Sequence, residues 1–416
     1  MTKINNIPKD WKVIPLGDVC KLKNGFAFKS SEYIAEGVPV IRISDIKDGL
    51  IVPRNTVRVS ENSTYNDYII NTDEILVAMS GATTGKFGIY KSNEVAYQNQ
   101  RVGKFYILDK KLLDNDFLLH QLHSLKRQIE KDAYGGAQPN ISSKKIEEMQ
   151  IVLPPLATQQ AIVSKIEELF SELDNGIAQL KTAQQQLKTY RQSVLKWAFE
   201  GKLTNENVKE GELPKGWKEK EIKNVCENIK VGIVVKPTNF YSKNKNGIKT
   251  FRSANVREFQ INDSDWVYFT EEANEINRRT KLKEDDVLLV RSGYPGTSCI
   301  VSKKFEGCNA IDILIATPNK DIILPKYLCC FNNSPLGKGM FRDNSRGVAQ
   351  RHLNVGEYSK LKINFPDIKE QHQIVQEIES RLSVADKMEE SITASLLQAE
   401  ALRQSVLKKA FEGRLI

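Results

Sequence analysis

RQSVLKWAFEGKL (Arg191–Leu203) and RQSVLKKAFEGRL (Arg403–Leu415) agree at 11 of 13 positions, at a fixed offset of 212 residues. A chain that repeats a stretch this long invites the same offset elsewhere. It carries Gln159, Ile162, Val163, Ile166, Glu167 and Asp174 onto Gln371, Ile374, Val375, Ile378, Glu379 and Asp386, and DEILVAMSG (Asp73–Gly81) onto DDVLLVRSG (Asp285–Gly293). A shift of 206 overlays IPKDWKVIPLGDVC (Ile7–Cys20) on LPKGWKEKEIKNVC (Leu213–Cys226). The chain is therefore a duplicate of one unit. Identity is high in the tail of each half and low between the anchors.

Each half changes pattern along its length. The leading part carries short β-branched runs such as VPVIRI, EILVAMS, VLLVRS and IDILIA between Gly, Asn and Pro, which reads as a mixed, strand-rich domain. In the tails apolar residues recur at alternating steps of three and four, as in a coiled-coil seam. The first seam runs through Ile162, Ile166, Leu169, Leu173, Leu180, Leu187, Tyr190, Val194 and Trp197, with the small Gly176 and Ala183 between. The second runs through Ile374, Ile378, Ala385, Met388, Ile392, Ala399, Leu402 and Val406. Pro154-Pro155 and Pro366 precede the helices, and Gly201 and Gly413 end them. Forty helical residues extend about 60 Å. The expected fold is α+β: two strand-rich globular domains joined by two long helices packed as an antiparallel coiled coil, with pseudo-twofold internal symmetry. The segments are 1–155 (first domain), 156–203 (central helix), 204–366 (second domain) and 367–416 (C-terminal helix).

Bulk composition excludes several classes. With 40% hydrophobic and 27% charged residues and no membrane-length apolar run, the chain reads as soluble, and its opening MTKINNIPKDW lacks a signal peptide, so a cytoplasmic location is expected. Six cysteines without a C-x-x-C pair read as reduced thiols, not as zinc ligands or disulfides. A net charge of +9 raises the odds of a polyanionic partner. SGATTGKFG (Ser80–Gly88) is not a P-loop, because three residues separate its glycines and Phe87 follows Lys86. VLPPLA lacks the polar and aromatic flanks of an adenine-methyltransferase loop, Pro366-Asp367 lacks the Glu-x-Lys of a common nuclease site, and four histidines form no recognisable triad. No catalytic centre and no cofactor or metal site is expected on this chain.

What remains is polar, basic and in loops. Gln98, Asn99, Gln100 and Arg101, then Gln138 with Asn140, and Arg346 with Gln350 and Arg351, are the side chains best suited to base edges. Arg291 and Tyr294 flank the Ser-Gly turn of the second half, Lys86 closes the equivalent loop of the first, and Arg42 and Arg252 correspond between halves. These fourteen are the candidate DNA-binding residues.

Taken together, the paired IPKDW and LPKGW openings, EILVAMSGATTGKFG and DVLLVRSG, AQPNIS, and LPPLATQQAIVSKIEELF or FPDIKEQHQIVQEIESRL followed by RQSVLK-x-AFEG, resemble the specificity subunit of type I restriction-modification systems over nearly the whole chain. The second half departs from the pattern with AQRHLN and YPGTSC. The resemblance implies a non-catalytic DNA-binding subunit whose two target-recognition domains each read half of a bipartite double-stranded site. It also implies spacer helices, two docked methyltransferase subunits that modify adenine at N6, and translocating restriction subunits. S-adenosylmethionine, ATP and magnesium would then belong to those partners. A competing reading is a coiled-coil interaction scaffold that never reads DNA sequence.

Overall fold

The computed structural model describes residues 7–47, 49–134, 139–205, 207–209, 211–343 and 353–416. Packing gathers the chain into two units that interleave its sequential halves: 1–180 with 394–416, and 181–393.

In the first unit a five-stranded sheet places Cys20–Asn24, Val102–Ile107, Ile75–Ala78, Phe87–Tyr90 and Gly49–Ile51 side by side, antiparallel except for its last pair. A smaller mixed sheet joins Arg58–Val59, Val38–Ile41, Ala96–Gln98 and Ile69–Ile70. Ile75–Ala78 is buried on both faces, which is why it reads as a continuous apolar run with no alternation. Helix α1 (Asn115–Ala133) starts where Asp114 accepts hydrogen bonds from the amides of Asp116 and Phe117. Helix α2 (Leu156–Phe199) follows the strand Gln150–Leu153 across Pro154-Pro155.

The second unit repeats this plan. Its main sheet has the order Cys226–Val231, Ile313–Pro318, Val287–Val290, Ser298–Ile300. Helix α3 (Pro325–Asn333) opens on a proline, and α4 (Ile368–Phe411) follows the strand Lys362–Phe365. The edge element differs: a two-stranded hairpin, Val256–Arg257 with Gln260–Ile261, stands where the first unit adds a parallel strand.

Each unit contains the beginning of one long helix and the end of the other, running antiparallel. In the first unit Ile162, Val163 and Ile166 of α2 share a core with Val406, Leu407, Ala410 and Phe411 of α4, while Asp174 pairs with Arg403. In the second, Ile374, Val375 and Ile378 of α4 share a core with Val194, Leu195, Ala198 and Phe199 of α2, while Arg191 pairs with Asp386 at 2.6 Å and Glu389 at 2.9 Å. The arginine of the repeated stretch thus meets the aspartate of the other copy, twice, at the offset of 212. The ends of the stretches also match. A Cβ on Gly413 would lie 2.4 Å from Pro8 Cδ, and one on Gly201 would lie 2.1 Å from Pro214 Cγ, so only glycine lets each helix end seat on the proline-tryptophan opening of its unit. Leu415 and Ile7 accordingly border one core.

Most seam residues are covered. Ile162, Ile166, Leu187, Val194, Ile374, Ile378 and Val406 are buried, and Leu169, Leu173, Leu180 and Ile392 half-buried. Met388 and Leu402 are not in the seam: each is 53% exposed. Beyond Ala385 the inward row passes through Glu389, Ile392, Leu396, Ala399, Arg403 and Val406, one residue later than the apolar spacing indicates at both positions. The displaced places are held by the charges that form the interhelical pairs. Tyr190 and Trp197 likewise face outward, with Arg191 and Ala198 inward.

Two packing details carry predictions. In the first unit Arg403 lies over the Phe170 ring, 4.4 Å from its centroid, and Phe170 meets His120 edge-on at 5.9 Å. The equivalent residues of the second unit are Leu382 and Cys330, and there a cavity of about 400 Å³ remains beside Arg191, lined also by Leu195, Phe259, Ile300 and Ile378. Leu382→Phe should supply the missing ring beneath Arg191 and raise the stability of this unit by about 1 kcal/mol. Urea unfolding checks this, and a loss of stability would contradict the equivalence.

His120 is the second case. Burial first, and the neighbouring His123 next, push it down to about 4, and its Nδ1 has no hydrogen-bond partner among the described residues. A depressed imidazole favours the folded state only while neutral. Its contribution is complete above the ordinary value of 6.5 and is lost as pH falls from there towards 4. The first unit should therefore weaken over that window, and His120→Phe should flatten the slope in pH-dependent urea titrations.

Candidate nucleic-acid interface

The first unit brings six candidates from four separate stretches of the chain to one edge of its sheets. The loop Ser80–Lys86 leaves the central strand, and Met79 at its root is held on both sides: its amide donates to the Arg101 carbonyl at 2.9 Å, and its carbonyl accepts from the Ile141 amide at 3.0 Å. Gly81 donates to the Pro139 carbonyl at 3.1 Å, Ser80 bridges to Asn140, and the Thr83 hydroxyl donates to the Ile43 carbonyl at 2.8 Å. Arg42, Lys86, Asn99 to Arg101 and Asn140 thus surround one loop. Gln100, Arg101 and Asn140 are exposed, and Lys86 and Asn99 half-buried.

Gln98 does not belong among them. It is buried, and its amide nitrogen donates to the carbonyls of Lys23 and Val102, both at 2.7 Å, so it clamps the turn that presents Asn99 to Arg101. Arg42 and Arg252 are held by their own loops. The amide of each is capped by a side chain three residues on, Asp45 or Asn255, and the guanidinium is paired with Asp45 or Asp265. Arg291 is also internal: Nε donates to the Leu353 carbonyl at 2.9 Å and the guanidinium pairs with Asp312. Tyr294, by contrast, is 83% exposed at the tip of the equivalent loop. Gln138, Arg346, Gln350 and Arg351 lie outside the described residues.

Two glycines that composition alone does not single out shape these edges. A Cβ on Gly25 would sit 2.0 Å from the Gln98 carbonyl oxygen, and one on Gly232 would sit 2.3 Å from that of Ala310. Both follow the first strand of the main sheet and let the next segment cross against the turn. Aligning the halves through Cys20 and Cys226, with one extra residue allowed in the second strand, would have exposed the pair; the register shift between Cys226 and Asn228 is that residue. Asn24, which donates to the Gln100 carbonyl at 3.4 Å and accepts from Ser143 at 3.0 Å, is a further exposed polar group at this edge.

The arrangement offers exposed amide and guanidinium groups on a turn fixed by buried hydrogen bonds. This suits recognition of base edges, where donors and acceptors must be held in place, and it contains no assembled acid, base or nucleophile among the described residues. The family model described as the type I restriction modification DNA specificity domain matches residues 8–183 and 214–398. The specificity subunit of the type I restriction enzyme EcoBI from Escherichia coli is 28% identical over 426 residues, covering 99% of this chain and 87% of the relative. That of EcoKI from Escherichia coli strain K12 is 26% identical, covering 98% and 90%. Among solved structures, a chain from work on complex assembly and conformational transition of the type I R-M system matches with a TM-score of 0.76 at 18% identity, over 98% of this chain and 99% of that one. The HsdS subunit from Thermoanaerobacter tengcongensis matches with a TM-score of 0.63 at 16% identity, over 98% of each chain. These two likenesses concern the fold.

Proposed function

The chain belongs to the type I restriction-modification DNA specificity family, and from that premise we propose that each of its two units reads one half of a bipartite double-stranded DNA site. The observation that carries this reading is the contrast between units. Their frameworks coincide, in the Arg-Asp pairs at the offset of 212 and in the glycine-proline seats, while the side chains exposed at equivalent loops differ. A shared framework fits a shared partner; divergent loops fit two unrelated half-sites.

The chemistry follows from the groups present. Exposed Asn, Gln and Arg pair bidentately with adenine or guanine in the major groove, and lysines and arginines neutralise phosphates, so affinity falls steeply with salt. The long helices, to which both units contribute, set the spacer and dock two methyltransferase subunits. Those partners supply S-adenosylmethionine and transfer its methyl group to adenine N6. Restriction subunits that use ATP and magnesium complete the assembly, and this chain selects the sequence without catalysing a step.

The test is to reconstitute the chain with its methyltransferase partner, map methylated adenines, and exchange residues 1–155 for those of a relative. One half-site should change and the other persist. A simultaneous change in both, or methylation by the partner with unaltered sequence choice when the chain is omitted, overturns the reading in favour of a scaffold.

A further inference from the structure

At one and the same place in the two units the exposed chemistry is opposite. In the first, the turn after Ala96–Gln98 carries Asn99, Gln100 and Arg101, and the segment crossing it, Phe26 to Phe28, turns its rings inward. Phe26 and Phe28 pack against each other at 5.1 Å and against Tyr65 at 5.0 and 4.9 Å. The Gln100 backbone amide donates to the Phe26 carbonyl at 2.8 Å. In the second unit the equivalent turn is Ile311, Asp312 and Ile313. Ile311 and Ile313 are buried, Asp312 is paired with Arg291, and its amide makes the matching bond to the Ile233 carbonyl at 3.1 Å. The crossing segment there is Gly232 to Lys236, and its two central residues point outward: Val234 is 51% and Val235 73% exposed.

These valines are held, not merely uncovered. On one side Ile233 is buried with Phe269 and Ile311 and donates its amide to the Ala310 carbonyl at 2.8 Å. On the other, Lys236 adopts left-handed backbone, φ 41°, and Pro237 fixes the next residue. A non-glycine residue adopts that conformation only where the surrounding structure enforces it, so the loop shape is imposed by its packing. The Arg291–Asp312 pair ties this segment to the loop whose tip is Tyr294.

Resting on the bipartite reading above, we propose that the second unit reads its half-site through thymine methyl groups, with Val234 and Val235 as the contacting residues. Apolar side chains at a DNA edge gain most from the C5-methyl of thymine, the one apolar group presented in the major groove. The first unit, with Asn99 to Arg101 at the same place, reads by hydrogen bonds. A half-site that contains a target adenine contains at least one A·T pair, so a methyl group is available.

Duplexes bearing the mapped site, with the thymines of one half-site at a time replaced by deoxyuridine, isolate the methyl group because base pairing is kept. With the methyltransferase complex, substitution in the second half-site should weaken binding about four-fold per contacted methyl, and substitution in the first should have a smaller effect. The V234A/V235A double variant should bind thymine and deoxyuridine duplexes alike, and V234T/V235T, which keeps side-chain shape, should show an intermediate loss. A wild-type complex that discriminates the site but ignores deoxyuridine in the second half, or valine variants that keep the full deoxyuridine penalty, overturns the proposal. A complex that cannot tell the mapped site from a scrambled duplex overturns the bipartite reading itself.

Discussion

Gln371→Ala is expected to destabilise the second unit by about 3 kcal/mol or more. The side chain is fully buried at the start of α4. Its Oε1 accepts from the Leu324 amide at 2.9 Å, and its Nε2 donates to the carbonyls of Ile322 and Pro366 at 2.9 and 3.0 Å. One residue thereby joins the entry of α3, the end of the strand Lys362–Phe365 and the first turn of the long helix. Alanine removes the partner of the buried Pro366 carbonyl and of the part-buried Leu324 amide and Ile322 carbonyl, each costing on the order of 1–3 kcal/mol. Gln159 makes the same three bonds in the first unit, to the Asp114 amide at 2.9 Å and the Leu112 and Pro154 carbonyls at 2.8 Å. Gln159→Ala should match the effect there. Urea unfolding measures both, with hydrogen exchange at the Leu324 amide as a local reporter. A change below about 1 kcal/mol would show that water replaces the lost bonds.

The glutamine pair illustrates what the sequence made readable. Duplication, helix starts and ends, and the strand-rich character of each domain follow from patterns that local physics enforces: heptad spacing, prolines that cannot continue a strand, glycines at helix ends. Gln159 and Gln371 stand out in sequence only as matched positions. Their clamp joins segments more than 40 residues apart, and no periodicity encodes such a contact. The seam slipped by one residue at Tyr190 and Trp197 in α2, and at Met388 and Leu402 in α4. An apolar-only count cannot register a charge in the inward row, and Arg403 and Glu389 hold those places because each finds an opposite charge on the facing helix.

Loop residues were the least legible. Gln98 and Arg101 are near neighbours of similar polarity, yet one is a buried clamp and the other an exposed end. The difference lies in a carbonyl 75 residues away that accepts from Gln98. Arg291 and Arg252 read as free cations, but the residues that capture them, Asp312 and Asp265, become neighbours only when the sheets close.

That distinction makes the turn after Ala96–Gln98 the sharpest place to test DNA reading. Replacing Asn99, Gln100 and Arg101 together by alanine is expected to reduce discrimination at the first half-site by about 100-fold or more, since each bidentate base contact is worth roughly 1–3 kcal/mol and 1.4 kcal/mol is tenfold. Folding stability should change little, because Gln100 and Arg101 are exposed and, among the described residues, the Asn99 side chain takes part in only a long 3.4 Å contact from the Arg101 amide. Gln98→Ala, one residue away, should do the reverse first: it removes a buried bond to the Val102 carbonyl and a part-buried one to the Lys23 carbonyl and loosens the turn, so stability falls along with discrimination. Methylation of a panel of single-base variants of the mapped site, at fixed salt, separates the two. If the triple variant weakened methylation uniformly and only lowered its salt dependence, the turn would be holding phosphate and not base edges. Unchanged base preference at the first half-site would move the reading surface away from this edge altogether.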